Sequence, residues 1–293
     1  MLSLVIQLFT FTNLNNSLFI QDHNALNLSY KVGENQFIDR NYTDEYYVDN
    51  SMNFFMTDKT TELIVDESIN DDIIVPLEVD WRKEHRVTTV KNQGTCGGCW
   101  AFSASEAVEG AWSIKNKVLY NLSQQELLDC SRLYGNRGCK GGTMDDGFKY
   151  IMKNGLCMNI SYPYVGMNQE CQKKDCKSVV RISNYTDIIN NNETELQKVV
   201  FQQPVSVAIQ ANKRSFQMYQ SGIYSDLECG AKLDHGVLIV GYGYSLEQDM
   251  KYWIVKNSWG VNWGENGYIR IQRDIEDERG MCGIAMEPSI PII

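Results

Sequence analysis

Apolar positions along this chain change period partway through. After Cys99 they recur at Trp100, Ala104, Val108 and Ala111/Trp112, which is one face of a buried helix. Ser123-Gln-Gln-Glu126 precedes Leu127 and Leu128 as a capping box, so a second helix is predicted to end near Cys130. Met144, Phe148, Ile151 and Met152 mark a third helix, with Asp145 and Asp146 in its first turn and Gly155 just past its end. Farther on the runs shorten. Val205–Gln210, Gly236–Tyr242, Lys251–Lys256 and Tyr268–Arg273 read as strands. Helices followed by strands predict an α+β chain folded as two lobes.

Length and composition refine this picture. The 293 residues are 43% hydrophobic, enough for one or two packed domains. The net charge of −10 is uneven: residues 1–75 hold twelve acidic and three basic side chains, and the remainder is nearly balanced. The acidity belongs to one segment, and no basic patch for nucleic acid appears. Residues 1–18 are apolar like a secretory leader, yet lack a basic start and a small-x-small cleavage site. The same run is too short and polar to span a membrane. Residues 58–75 are acidic and lack aromatics, as a cleavable linker would, and the part after it is expected to begin near Val75 or Pro76.

The chemistry concentrates in Asn92–Trp112. Gly94, Gly97 and Gly98 form a glycine-rich turn in which backbone N–H groups can crowd a ligand. Cys99 then stands at a helix N-terminus, where the dipole and unpaired N–H groups favour negative charge. The thiol is therefore expected to ionise below its ordinary value of about 8.5. Three readings of Cys96-Gly-Gly-Cys99 compete. A zinc pair needs two more Cys or His at short spacing, and the only other close pair, Cys171 and Cys176, has no His nearby. A redox pair belongs in a small βαβ domain, whereas this chain carries seven further cysteines. A nucleophile needs a distant His and a polar side chain to orient it. His235 opens an apolar strand 136 residues downstream, and Asn257 follows 158 residues after Cys99, close to the spacing of a papain-like Cys–His–Asn set.

At this point the chain resembles the papain-family cysteine proteases, most closely the cathepsin L branch, over residues 76–293. The blocks that carry the resemblance stand in family order. They are Val79-Asp-Trp-Arg, Val90-Lys-Asn-Gln-Gly, Cys96-Gly-Gly-Cys-Trp-Ala-Phe-Ser, Leu122-Ser-Gln-Gln-Glu-Leu-Leu-Asp-Cys, Gly138-Cys-Lys-Gly-Gly, Tyr162-Pro-Tyr, Asp234-His-Gly-Val, Asn257-Ser-Trp-Gly and Trp263-Gly-Glu-Asn-Gly-Tyr. Gly98 departs from the usual Ser or Ala. Upstream, Ile20-Gln-Asp-His-Asn24, Gly33-Glu-Asn-Gln-Phe-Ile-Asp39 and Thr43-Asp-Glu-Tyr-Tyr resemble the end of the family's inhibitory pro-region. The front half of that region has no counterpart, which predicts either a start upstream of Met1 or a shorter inhibitory segment.

The resemblance implies a helical lobe at about 84–185 and an antiparallel β-barrel lobe at about 186–293 plus 76–83, with a cleft between them. Residues 1–75 would be a removable inhibitory segment. Cys99 would attack, His235 would shuttle the proton, Asn257 would hold the imidazole, and Gln93 would complete an oxyanion hole with the Cys99 N–H. Trp259 would shield the His–Asn bond. Gly141 and Gly142 would offer backbone to extended substrate, while Met144, Ala208, Gly236 and Glu287 would surround the second subsite. Glu287 would either floor that pocket and pair with Arg, or face solvent.

The family pairing joins Cys96 to Cys139, Cys130 to Cys171 and Cys229 to Cys282. Cys157 and Cys176 either pair with each other or stay free. No metal or cofactor is implied. The expected partners are protein and peptide substrates, the chain's own inhibitory segment and cystatin-type inhibitors, with the enzyme a monomer. An even set of eight cysteines and sequons at Asn15, Asn27, Asn41, Asn159, Asn184 and Asn192 fit a glycoprotein of the secretory route, in an acidic lysosome- or vacuole-like compartment or outside the cell. The Asn121 sequon is a poor acceptor because Ser123 is committed to its cap. Two other functional classes compete with the protease: a homologue that binds without catalysis, which would lack the nucleophile, and a disulfide oxidoreductase using Cys96 and Cys99.

Overall fold

The computed structural model describes residues 2–42 and 74–293. The Thr43-Asp-Glu-Tyr-Tyr stretch and the acidic linker up to residue 73 lie outside the described residues. Elements run in the order α1 (Leu2–Ala25), β1 (Tyr30–Val32), β2 (Val79–Asp80), α2 (Cys99–Asn116), α3 (Gln124–Cys130), α4 (Met144–Asn154), β3 (Leu156–Cys157), β4 (Ser178–Val180), β5 (Asn184–Asp187), α5 (Glu193–Gln202), β6 (Val205–Ile209), α6 (Arg214–Gln217), β7 (Tyr219–Tyr224), β8 (His235–Ser245), β9 (Met250–Lys256), β10 (Tyr268–Gln272) and β11 (Ser289–Ile292). Among the described residues, no helix is long and apolar enough to cross a membrane.

Helix α2 is the central support. Residues Cys99 to Ala111 are all buried, and its carboxyl end is closed by Lys117 in the left-handed region, whose N–H reaches Ser113 O. Gly110 is needed for this burial: a Cβ there would lie 2.7 Å from Pro204 Cγ. At α3 the Ser123 hydroxyl accepts from the Glu126 N–H and donates to Tyr162 O at 2.6 Å. Thr143 caps α4 in the same way through Asp146 N.

The class is α+β, but the expected barrel is corrected. The main sheet runs β1-β7-β10-β9-β8-β6-β11-β5 with β2 against β8, and its two end strands do not pair. It is an open sheet, antiparallel except where β10 meets β7. The strands at its centre read as continuous apolar runs because both faces are covered. Val205, Val207, Val237 and Ile239 pack into one core with Trp253 and Trp263. Ala208, Leu238 and Val240 face a second core built on Trp100, Val108, Leu127 and Phe148. Three disulfides, Cys96–Cys139, Cys130–Cys171 and Cys157–Cys176, staple the helical part, and Cys229–Cys282 staples the sheet part.

The apolar N-terminal run continues as helix up to Ala25. Its asparagines hold the returning chain: Asn24 bonds Val32 through both N–H and C=O, and Asn16 Nδ2 donates to Arg40 O at 2.9 Å. That return adds β1 to the sheet edge at β7. Asn35 Nδ2 donates to Gln217 O at 2.8 Å, and Gln36 Nε2 to Trp259 O at 3.2 Å.

Candidate active site

Cys99 opens α2, is fully buried, and is the one cysteine outside a disulfide. Its helix abuts the start of β8. Gly236 permits that approach, since a Cβ there would come within 3.3 Å of the Trp100 backbone nitrogen and 3.2 Å of Met144 Sδ. The thiol is in hydrogen-bond contact with the backbone N–H groups of Gly236 and Trp100. These N–H groups pull its pKa down, but burial is the larger effect and pushes it up to about 11. The expectation of a depressed thiol is corrected for this closed arrangement: desolvation outweighs the helix N-terminus. Cys96 is bonded to Cys139, so it serves Cys99 neither as a redox partner nor as a co-ligand.

His235 is the first residue of β8, adjacent to Gly236 and completely buried. Its Nε2 lies 2.8 Å from Asn257 Oδ1. The Ser258 N–H donates to the same Asn257 atom at 2.7 Å, which requires that atom to be the amide oxygen. The histidine hydrogen therefore sits on Nε2, and the neutral ring carries its lone pair on Nδ1. Trp259 stacks on the imidazole at 4.7 Å between centroids, and Trp263 backs it at 5.1 Å. Phe37 of the N-terminal segment packs edge-on against Trp259 at 4.9 Å.

Gln93 is buried beside this group. Its N–H donates to Ser258 O at 2.8 Å, its Oε1 accepts from the Ser258 hydroxyl, and its Nε2 donates to Cys96 O at 2.9 Å. Tyr164 OH donates to Gln93 O at 2.7 Å, a contact that sequence reasoning missed. Burial holds the Tyr164 phenol well above its ordinary range, so it stays a donor at any working pH. The Tyr162-Pro-Tyr block was the visible signal, but nothing in it points to residue 93.

The remaining predicted residues divide into two groups. Ala208 pairs with Gly236 across β6 and β8, and Met144 touches Gly236, so these three lie together. Ser289 sits opposite Ser206. Glu287 precedes β11, two residues before that pair, and is buried with 8% of its surface exposed. Gly141 and Gly142 are both buried, and a Cβ on Gly142 would meet Asn136 and Trp100. The cluster Glu126, Cys157 and Cys176 has metal-ligating atom types, yet its two sulfurs are bonded to each other and Lys173 Nζ neutralises Glu126 at 2.7 Å.

Together a buried thiol, an imidazole of fixed tautomer, an orienting amide and a ring of N–H donors can perform acyl transfer through sulfur. Known proteins agree. The model of the papain family cysteine proteases matches residues 75–292. The senescence-specific cysteine protease SAG39 of Oryza sativa subsp. japonica is 44% identical over 278 residues, covering 94% of this chain and 81% of that protein. Among solved structures, the proform of the ragweed pollen cysteine protease Amb a 11 superposes with a TM-score of 0.87 at 37% identity, over 96% of this chain and 86% of that one. Digestive procathepsin L 3 of Tenebrio molitor larval midgut superposes with a TM-score of 0.86 at 36% identity, over 98% and 91%.

Proposed function

The chain belongs to the papain family of cysteine proteases, and on that footing we propose that it is a cysteine endopeptidase made as a zymogen, with residues 1–75 as its inhibitory segment and 76–293 as its catalytic part. The observation that carries the reading is the His235–Asn257 bond of 2.8 Å, with its tautomer set by the Ser258 N–H, one residue from the Gly236 N–H at the Cys99 thiol. In the full-length chain burial keeps the thiol protonated. Once the site opens, the proton passes to His235 Nδ1, and the thiolate attacks the scissile carbonyl. The Cys99 N–H and the Gln93 side-chain amide stabilise the oxyanion, an effect typically worth about 10²–10³ in rate per donor. The imidazolium protonates the departing amine. Water, deprotonated by the same ring, then releases the acyl group from sulfur. Asn257 holds the imidazole in register, and Trp259 keeps water from that bond.

Gly141 and Gly142 would present backbone to extended substrate, and Met144, Ala208, Gly236 and Glu287 would shape the second subsite for Leu, Phe and Arg. Internal cleavage is favoured because His85, exposed near the start of the catalytic part, is the only other histidine there, so none remains for a loop that would block the cleft. Protein and peptide substrates, cystatin-type inhibitors, a monomeric state and a secretory or acidic vacuolar location complete the reading. In folded Cys99→Ala and His235→Ala chains peptide hydrolysis should vanish, and an epoxide-type inhibitor should label wild type once, at Cys99. Residual hydrolysis above a few per cent in folded Cys99→Ala would overturn the assignment.

A further inference from the structure

A cluster of cations flanks the leaving-group side of the candidate active site. His235 hands its proton to the departing amine, so the half of a substrate beyond the cut must run past His235 and Trp259. The N-terminal segment lies along that side. Asn35 Nδ2 donates to Gln217 O, Gln36 Nε2 donates to Trp259 O, and Tyr42 OH donates to Gln217 Oε1 at 2.7 Å. Phe37 covers the Trp259 ring. Next to these contacts, Arg40 and Tyr42 help to line a cavity of about 910 Å³.

The part after residue 75 gives this cavity four basic side chains, Lys213, Arg214, Lys232 and Arg279, and one acidic one, Glu228. Three stretches supply the cations: Lys213 and Arg214 at the start of α6, Lys232 just before β8, and Arg279 three residues before Cys282. The Cys229–Cys282 bridge ties the second stretch to the third. Gln210, directly after β6, braces the site: its Oε1 accepts from the Lys232 N–H at 2.7 Å, and its Nε2 donates to Asn212 Oδ1 at 2.9 Å. Arg279 is answered by Asp277 at 2.7 Å. Lys213 and Lys232 make no side-chain ion pair among the described residues. Arg214 is engaged by the N-terminal segment: its Nη2 donates to Asn15 O, and its guanidinium lies 4.2 Å from the Phe19 ring and 5.7 Å from that of Tyr42. Removal of the segment releases Arg214 to face the cavity mouth with the two lysines, against Glu228 alone.

The cluster is within reach of the scissile bond. Ile209 pairs with His235 across β6 and β8, and Gln210 follows it. Lys232 stands three residues before His235, so the chain between them spans at most about 11 Å. An extended substrate advances about 3.3 Å per residue, which carries its second and third residues beyond the cut about 7–10 Å on. We propose that Lys213, Arg214 and Lys232 form a subsite for acidic side chains at these two positions, so that the enzyme selects peptides with Asp or Glu on the leaving-group side of the cut. The inference rests on the reading of the chain as a cysteine endopeptidase. The three cations are exposed or half-buried. Each pairing is therefore worth a factor of about 1.5–5, and two or three together about 5- to 30-fold. Salt should screen most of that preference.

The test uses enzyme matured from the full-length chain and three internally quenched peptides. These are identical except for Asp-Asp, Asn-Asn or Lys-Lys at the second and third positions beyond the cut, and mass spectrometry fixes the bond cleaved. At about pH 6, where Asp is ionised, and at low salt, kcat/KM for the Asp-Asp peptide should exceed that for Asn-Asn by about 5- to 30-fold, and that for Lys-Lys by more. Both gaps should fall below about threefold at about 0.5 M salt. Lys213→Gln with Lys232→Gln should cut the Asp/Asn ratio by about threefold or more, and Lys213→Glu with Lys232→Glu should invert the order. One-to-one epoxide labelling at Cys99 shows that each variant's site is assembled. Wild-type ratios within about twofold of one, or unchanged ratios in labelled variants, would overturn the subsite and leave the protease reading standing. Failure of wild type to cut any of the three peptides or to take the label would sink that reading, and the subsite with it.

Discussion

Replacing Glu106 by Ala should strand a buried charge next to the active site. Glu106 and Glu109 project from α2 into a closed ionic cluster. Lys256 Nζ lies 3.1 Å from Glu106, and Lys91 Nζ lies 3.5 Å from Glu106 and 2.8 Å from Glu109. Thr88 donates to Glu109 and accepts from Lys256 Nζ at 3.2 Å. Two cations balance two anions, and the Lys256 side chain has no exposed surface. Without Glu106, both lysines face one carboxylate, and Lys256 keeps the Thr88 hydroxyl as its neighbour. Removing one partner of a buried pair costs about 3–5 kcal/mol, which lowers Tm by about 6–20 °C for a chain of this size. Burial already holds the Lys256 ammonium below its ordinary range, and the substitution lowers it further. The deficit should therefore narrow as pH rises toward about 10.4, where the unfolded lysine also loses its proton. Thermal unfolding of wild type and Glu106→Ala at pH 7 and pH 9 reads both effects. An unchanged Tm at pH 7, or a deficit of equal size at both pH values, would refute the charge argument and leave only lost packing. The double change Glu106→Leu with Lys256→Met should recover much of the loss.

Two further outcomes follow from the site. Glu287→Ala should lower the ratio of kcat/KM for Arg over Phe at the second subsite by about 10- to 150-fold, the worth of a charge-assisted hydrogen bond; an unchanged ratio places Glu287 outside the pocket. In the full-length chain the Cys99 thiol, held up at about 11 by burial, should carry about 300-fold less thiolate at pH 7.5 than an ordinary thiol near 8.5. Its iodoacetamide alkylation rate should keep rising past pH 9, and a plateau below pH 9 would contradict the burial argument.

Local signals in the sequence carried the local structure. A capping box places the start of α3 because hydroxyl and N–H are three residues apart, and the apolar run at β8 announces a strand covered on both faces. Cys99, His235 and Asn257 are legible because each sits in a short block with its own turn or strand chemistry. What escaped depends on partners far away in the chain. Lys256 ends an ordinary-looking strand and reads as a solvated cation until Glu106, 150 residues earlier, is brought beside it. The short β5 and β11 carry little periodicity and pair only across a hundred residues. The direction of the thiol shift is hidden in the sequence, because a helix N-terminus is visible there whereas the depth of its burial is not. The open sheet instead of a barrel is likewise a matter of which end strands meet.

The disulfides sort the molecule in a way that the fold alone does not. Three of them join residues between 96 and 176, the fourth joins 229 to 282, and no sulfur bridge passes from the helical side to the sheet side. What spans the boundary is the second apolar core, where Ala208, Leu238 and Val240 meet Trp100 and Phe148, together with hydrogen bonding such as Ser103 Oγ to Val237 O at 2.7 Å and the four-charge cluster. The seam without covalent reinforcement is thus the groove that holds the reacting groups. Opening of that seam would leave all four bridges intact. Because every bridge stays within its own half, the two can close again without exchanging a single sulfur.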